Sequence, residues 1–263
     1  MHGGEPDGPV GSSREAAARR ECLPGPDCLR DGVALFREGR FAEAARAFTA
    51  VLGTPGWEGE AWNGLGACRF YGGDIDGSLE CFEKAVAADA ENCDAILNLS
   101  IALRKKGRRG EARAQLERAL EISPRDVELH LEAAGLAEEE GRWEEAERLY
   151  RETLRLDPTN AAALNSLAVI LASTRRWEEA RVCAERAVEL EEHSAWAWNN
   201  LGIVRELAGE AGEAERCYRK ALEQEPGGGE VLDNLTALLT DGGRHLEALE
   251  VFDRAYGMCG DVR

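Results

Sequence analysis

The sequence predicts an all-α protein, a right-handed superhelix in which antiparallel helix pairs stack one after another as an α-solenoid. The first observation is a ladder of glycines spaced 34 residues apart, with Arg175 as its only missing rung. Five residues after each rung comes a small side chain, and four residues later a larger one follows in six of the seven copies. No stretch of useful length alternates apolar and polar residues, so strands are not expected. A period of this length is typical of repeat architectures. The ladder glycines are Gly39, Gly73, Gly107, Gly141, Gly209 and Gly243.

The repeats fill nearly the whole chain without an insertion or deletion. A tail at 1–24, rich in Gly, Pro, Ser and charged residues, precedes them and is expected to be flexible. We number the repeats one to seven and expect them to form one solenoid. Their predicted bounds are 25–58, 59–92, 93–126, 127–160, 161–194, 195–228 and 229–262.

Each repeat is predicted to form a first helix, a tight turn and a second helix. In repeat two the helices are GEAWNGLGACRFYG and IDGSLECFEKAVAAD, separated at Gly73. Glycine suits the left-handed conformation that ends many helices, which explains the ladder. Pro124, Pro158 and Pro226 recur where the second helix should stop.

These residues resemble the tetratricopeptide repeat family, whose pattern is W-x₂-L-G-x₂-Y, then A-x₃-F, then P. Arg69 and Arg205 stand where the family has Tyr, and Asp31 stands where the first repeat should have Leu. The resemblance implies a protein-binding solenoid. The matching residues are Trp62, Leu65, Gly66, Ser78, Phe82 and Ala85 in repeat two, and Trp198, Leu201, Gly202, Ala214, Tyr218, Ala221 and Pro226 in repeat six.

Composition and net charge argue against several classes of function. The 263 residues carry a net charge of −18, which argues against nucleic acid as the main partner. No long apolar run or signal sequence is evident, so we expect a cytoplasmic protein without a membrane partner. The eight cysteines show no CxxC pair and no histidines at ligand spacing, so reduced thiols and no metal site are expected. No catalytic motif or cofactor loop is found, so no enzyme and no cofactor are predicted.

A helical wheel places positions 2, 5, 6, 9 and 13 of each repeat on the side of its first helix opposite the packed stripe. We call this side the groove face, because it should line the concave surface of a solenoid. Asparagine recurs on it, and a side-chain amide can clamp a peptide backbone whatever its sequence. The alternative is that these amides only satisfy local backbone groups. The candidate groove residues are Asn63, Asn98, Lys105, Glu132, Asn165, Trp196, Asn199, Asn200 and Asn234.

Trp196 is the sharpest single candidate, since exposed tryptophans are common interface hot spots. Trp143 and Trp177 follow the turn, so we expect them in the core. Acidic residues outnumber basic ones on the groove face, which predicts a protein or peptide ligand that is neutral to basic. These acids are Glu60, Asp94, Glu128, Glu132, Glu230 and Asp233.

One dense basic island interrupts this acidic chain. Cations near a helix C-terminus stabilise it, and this structural role is one interpretation of the island. The other is a docking point for an acidic segment or a chain terminus. The island consists of Arg104, Lys105, Lys106, Arg108 and Arg109.

Two function classes follow. The first is a non-enzymatic scaffold that binds an extended peptide or helix in the groove. The second is an accessory arm that presents substrates to a separately encoded transferase, because the asparagines look like the ladder of O-GlcNAc transferases.

At the last helix, Leu249, Phe252 and Tyr256 cannot all face the preceding repeat. Exposed apolar area there predicts self-association, with a tolerated monomer as the alternative.

Overall fold

The computed structural model describes residues 26–257, and side chains over 27–253. Fourteen α-helices and no strand occupy this part of the chain, which confirms the all-α prediction. The predicted tail at 1–24 lies outside the described residues. None of the described helices is long and apolar enough to cross a membrane.

The chain divides into two compact units, Met1–Gln115 and Leu116–Arg263, and the division falls within α6. In the first unit α1 packs on α2 and α3 on α4; in the second, α7 packs on α8, α9 on α10, α11 on α12 and α13 on α14, and within each unit these neighbouring pairs contact each other. This is the arrangement of an α-solenoid. The helices are α1 (Pro26–Arg37), α2 (Phe41–Val51), α3 (Glu58–Tyr71), α4 (Ile75–Ala88), α5 (Cys93–Lys105), α6 (Arg109–Ile122), α7 (Val127–Glu139), α8 (Trp143–Leu156), α9 (Ala161–Ser173), α10 (Trp177–Leu190), α11 (Ala195–Leu207), α12 (Ala211–Gln224), α13 (Gly229–Asp241) and α14 (His245–Gly257).

The turn inside every pair takes a left-handed residue. All six ladder glycines have positive φ, for example 82° at Gly209. Arg175, the missing rung, adopts the same conformation with φ 62°. A side chain in this region is sterically strained, so the fold imposes the turn on a residue that disfavours it.

The two helices of a pair meet where a small residue faces a large one. A Cβ added to Gly66 would lie 2.6 Å from the ring of Phe82, and one added to Gly202 would lie 2.5 Å from Tyr218. The glycines therefore make room for the aromatic rings sixteen residues later. In repeat five both partners are alanines, Ala168 and Ala184, and both are fully buried.

Polar caps begin most of the first helices. Asn92 accepts a hydrogen bond from the Ala95 backbone at 2.9 Å, and Asn160 accepts one from Ala163 at 2.9 Å. Such caps satisfy amides that have no partner inside the helix. The caps Asn92, Asp126, Asn160 and Ser194 recur at the repeat period, so α5, α7, α9 and α11 start in the same register.

Two sequence predictions are wrong. Trp143 is 50% exposed rather than in the core, because it is the first residue of α8 and helical side chains point back past the helix start. Trp177, at the same repeat position, is half-buried against the core of the second unit. Cys28 forms a disulfide, so the chain is not uniformly reduced, whereas Cys68, Cys81, Cys93, Cys183 and Cys217 are not in disulfides.

Candidate functional site: the groove face

Asparagine amides join neighbouring first helices. Asn98 Nδ2 on α5 donates to Asn63 Oδ1 on α3 at 2.9 Å. Asn234 Nδ2 on α13 donates to Asn199 Oδ1 on α11 at 3.0 Å. Each bond connects position 5 of one repeat with position 6 of the next, so these two pairs are the same structural feature used twice.

A third pair of asparagines stands in this register but is not closed. Asn165 on α9 and Asn200 on α11 occupy the matching positions of repeats five and six. Asn165 is completely buried, and neither its nitrogen nor its oxygen has a hydrogen-bond partner. An unsatisfied buried polar group costs about 1–3 kcal/mol. This junction therefore holds amide capacity that the protein itself leaves unused.

The burial of the amides modifies the simple expectation of an open ladder. Asn165, Asn199 and Asn200 are buried, while Asn63, Asn98 and Asn234 are half-buried. The helical wheel placed these asparagines on one face, but it did not predict hydrogen bonds between asparagines of neighbouring repeats. The signal that could have revealed this was the separation of 35 residues within each pair, one more than the repeat length.

Trp196 supplies the apolar part of the same face in the second unit. Its side chain is 44% exposed, whereas Trp198, two residues later, is half-buried and donates from Nε1 to the Glu192 carbonyl at 2.8 Å. Exposed carboxylates at Glu230 and Asp233 follow on α13. The Asn199 amide lies 3.5 Å from Glu230 Oε1, which is a weak contact. A ligand here would meet an aromatic ring, amides and negative charge.

The remaining candidates lie apart from this cluster. Lys105 is exposed at the end of α5, and Glu132 is half-buried on α7. In the basic island, Lys106 Nζ pairs with Asp76 at 2.7 Å and Arg108 pairs with Glu111 at 2.7 Å. The hydrogen bond to Glu111 raises the pKa of Arg108. Arg104 is half-buried and Arg109 is exposed, so the island combines internal ion pairs with exposed cations.

Apolar side chains are also exposed on α14. Leu246 is 78% exposed, Leu249 is 60% exposed and Phe252 is 42% exposed. The side chain of Tyr256 lies outside the described residues. Among the described side chains, no group of three or more His, Cys, Asp or Glu is placed to hold a metal ion.

Two models of the family described as tetratricopeptide repeat match this chain. One matches residues 29–93, 69–127 and 97–161, and the other matches residues 159–224. The chain belongs to the tetratricopeptide repeat family. The glycine-to-aromatic packing at Gly66 and Gly202 is thus the structural form of the family's sequence pattern in this tetratricopeptide repeat protein.

The chain is also similar to two curated proteins over part of its length and to a solved structure in its fold. A peroxisomal targeting signal receptor of Yarrowia lipolytica is 35% identical over 96 residues, 36% of this chain and 16% of that protein. A probable UDP-N-acetylglucosamine–peptide N-acetylglucosaminyltransferase, SPINDLY, of Hordeum vulgare is 29% identical over 107 residues, 41% of this chain and 11% of that protein. The chain thus spans a small part of either relative. The crystal structure of YrrB, described as a TPR protein with an unusual peptide-binding site, has a TM-score of 0.54 and 23% identity, covering 70% of this chain and 95% of that one.

Proposed function

We propose that this protein is a non-enzymatic scaffold that binds an extended peptide on the groove face of α9, α11 and α13. The observation that carries the proposal is the open amide junction at Asn165 and Asn200. Its two counterparts close on themselves, so only this junction of the three keeps an amide unsatisfied. A peptide backbone offers the donors and acceptors that such a junction lacks.

The route to Asn165 runs through Asn200. Asn165 is fully covered, whereas Asn200 keeps 5% of its surface exposed. When a ligand's backbone holds one end of the Asn200 amide, the other end is fixed toward Asn165. Ligand, Asn200 and Asn165 would then form one hydrogen-bonded chain, and the cost of the orphan amide would be recovered on binding.

The chemistry around this junction favours a neutral to basic peptide. Glu128, Glu230 and Asp233 are exposed on the groove face of the second unit. Trp196 offers a broad apolar surface, and the face of an indole also attracts cations. The receptor and YrrB, named above for a targeting signal and a peptide-binding site, add support for a peptide partner.

Fluorescence polarisation with pools of labelled nonapeptides tests this function. One pool is biased to neutral and basic residues and the other to acidic residues. We expect the first pool to bind and its affinity to fall with salt, because exposed charges are screened over about 8–10 Å at physiological ionic strength. Trp196→Ala and Asn200→Ala should each weaken binding by about tenfold.

Trp143→Ala is the matched control. Trp143 is exposed to a similar degree, 50% against 44% for Trp196, but lies at the start of α8, off the groove face. An equal loss in both tryptophan variants, or preference for the acidic pool, would contradict the proposal.

A second candidate is an accessory arm that presents substrates to a separate transferase. It is favoured by the match to the SPINDLY transferase, of which this chain resembles 11%. The two candidates share the groove but differ in what they bind. Co-purification followed by a glycosyl-transfer assay separates them: the arm raises transfer to a protein substrate in trans, and Asn200→Ala abolishes the increase, whereas a simple scaffold leaves the transfer rate unchanged.

We also propose that α14 mediates self-association. Leu249 and Phe252 form an exposed apolar surface on this helix. Sedimentation velocity over a concentration series should show a mass that rises with concentration and returns to the monomer in Leu249→Ser. Leu207→Ser, which removes another leucine with 48% exposure from the end of α11, is the control and should leave association intact.

A further inference from the structure

The outer face of α14 departs from the pattern of the repeats before it. Leu246 and Leu249 occupy positions 18 and 21 of repeat seven and are 78% and 60% exposed. The two preceding repeats carry no large apolar side chain at either position, and hold Glu178, Arg181, Gly212 and Glu215 there. The two leucines are therefore a feature of repeat seven and do not belong to the packing pattern that its neighbours share.

Position 21 faces the following repeat wherever the second unit shows such a neighbour by an ion pair. Glu147 of repeat four pairs with Arg176 of repeat five at 2.6 Å. Glu215 of repeat six pairs with Arg244 of repeat seven at 2.5 Å. In α14, the last helix of the described residues, Leu249 takes the place of this acid. The face that would receive the next arginine is therefore apolar.

The first repeat of a second copy would not fit this apolar face. Its residue at the arginine position is Arg40, which pairs with Glu43 at 2.6 Å and would meet Leu249 instead of an acid. Positions 3 and 7 are apolar in the other six repeats, but in α1 they are Asp27 and Asp31, and both are exposed. Burying carboxylates against leucines costs free energy. Head-to-tail stacking of copies is thus disfavoured.

The exposed face of α14 is instead symmetric about its own middle. Leu246 lies three residues before Leu249, and Phe252, which is 42% exposed, lies three residues after it. His245 and Asp253 lie four residues before and after Leu249, and both are exposed. Since a helix turns about 100° per residue, all of these side chains fall within about 60° of Leu249. We call Leu246, Leu249 and Phe252 the α14 stripe.

We propose that the α14 stripe forms a tail-to-tail dimer, in which α14 packs antiparallel on α14 of a second copy about a two-fold axis near Leu249. This inference rests on the self-association proposed above and specifies its partner surface. The axis brings Leu249 beside the partner's Leu249 and sets Leu246 at the level of the partner's Phe252. His245 lies at the level of the partner's Asp253, where an imidazole N–H can donate to a carboxylate.

A contact of this kind limits both the size and the strength of the assembly. An isologous contact uses the same surface on both copies and closes at two, whereas head-to-tail contacts continue into a chain. A single helix pair is small beside the about 1,600 Å² of a standard interface, so the dimer should be weak. Each copy carries a net charge of −18, so added salt should tighten the dimer by screening the repulsion between copies.

Oxidative cross-linking of full-length Leu249→Cys tests the two-fold axis. Because residue 249 would lie beside its own copy, copper-phenanthroline oxidation should produce a band of doubled mass on a non-reducing gel. The parent protein, treated in the same way, reports the contribution of the native cysteines. Leu207→Cys replaces a leucine with 48% exposure at the end of α11 and should stay at the parent level. In head-to-tail stacking, residue 249 would meet another surface, and Leu249→Cys would not cross-link to itself.

Sedimentation velocity of the parent protein separates this arrangement from self-association as such. We expect the mass to rise with concentration toward twice that of the monomer and no further, and to rise more readily at high salt. Growth beyond two copies, weakening by salt, or association without a Leu249→Cys dimer would overturn the tail-to-tail arrangement and leave self-association standing. A monomer at every concentration would overturn both proposals.

Discussion

Repeats five and six lie side by side in the second unit and reach the same helix pair with different residues. Repeat six uses Gly202 against Tyr218 and has Gly209 at the left-handed position of the turn after its first helix. Repeat five uses Ala168 against Ala184, and its turn is forced onto Arg175. The helix pair therefore depends on complementary sizes and on a left-handed turn, and no single residue is required for either.

The two first helices also differ in burial. Nine of the thirteen residues of α9 are buried, against six of the thirteen in α11. The extra burial in α9 includes Asn165, whose amide has no partner, whereas Asn199 in α11 is bonded to Asn234. Repeat five thus combines the better-covered helix with two locally unfavourable features, a strained turn and an orphan amide.

The largest expected effect is at Tyr218, the ring that repeat five lacks. Tyr218→Ala should destabilise repeat six by about 3–5 kcal/mol, because it empties a fully buried site beside Gly202. Tyr218→Phe should cost about 1 kcal/mol, since it removes only the hydrogen bond from the hydroxyl to Glu206 at 2.6 Å. Hydrogen exchange measured repeat by repeat gives both values.

Ala184→Gly is the matching change in repeat five and should cost only about 1 kcal/mol, chiefly from glycine in a helix interior. Equal losses of unfolding free energy in Ala184→Gly and Tyr218→Ala would show that the two repeats do not depend in the same way on the fit between a small and a large residue.

The second prediction concerns the amides. Asn199→Leu should cost about 1–3 kcal/mol, because it leaves the Asn234 amide without its bonded partner. Asn165→Leu should be neutral or stabilising, since it removes a buried amide that bonds to nothing. Urea midpoints measured side by side test the contrast. The same Asn165→Leu variant should weaken binding of the neutral to basic peptide, and equal destabilisation by both leucines would show that Asn165 is satisfied.

Sequence periodicity predicted the helices because every repeat must bury the same stripe, so the ladder glycines and the ring of Phe82 follow from pattern alone. It could not place Trp143, since exposure at a helix start depends on which way one side chain leaves the backbone. Nor could it show that Asn63 and Asn98 bond to each other. A helical wheel describes the residues of one helix, whereas this hydrogen bond joins two helices. The disulfide at Cys28 left no spacing signal of the kind that a CxxC pair gives.

The third prediction reverses the usual sign of a substitution. Arg175→Gly should stabilise the protein by about 1 kcal/mol, because glycine adopts the positive φ of 62° without the clash that an arginine Cβ suffers. Gly209→Ala in repeat six, where φ is 82°, should destabilise by about the same amount. Thermal midpoints of the two variants should therefore move in opposite directions, and a loss of stability in Arg175→Gly would show that the arginine side chain contributes more than its strain costs.

The smallest expected effect is electrostatic and depends on pH. Arg176 immediately precedes α10, the second helix of repeat five, and pairs with Glu147 at 2.6 Å and Glu179 at 2.7 Å, joining α8 to α10. Repeat six has Glu210 at this position, which pairs with Arg205 within its own repeat. Hydrogen bonds from Arg176 and then Arg151 lower the pKa of Glu179. A carboxyl with a depressed folded-state pKa stabilises the fold above its unfolded pKa of about 4.3, and this contribution is lost as the pH falls through the folded value.

Arg176→Gln should therefore lower the urea midpoint slightly at neutral pH, and the difference from the parent protein should shrink as the medium is acidified below about pH 4. The effect stays small because these charges are largely exposed and screened by solvent. Glu210→Gln is the control: its effect should be confined to hydrogen exchange in repeat six, whereas Arg176→Gln should loosen α8 as well as α10. A difference that persists or grows in acid would mean that Arg176 acts through the packing of its aliphatic stem and not through its ion pairs, because packing does not titrate.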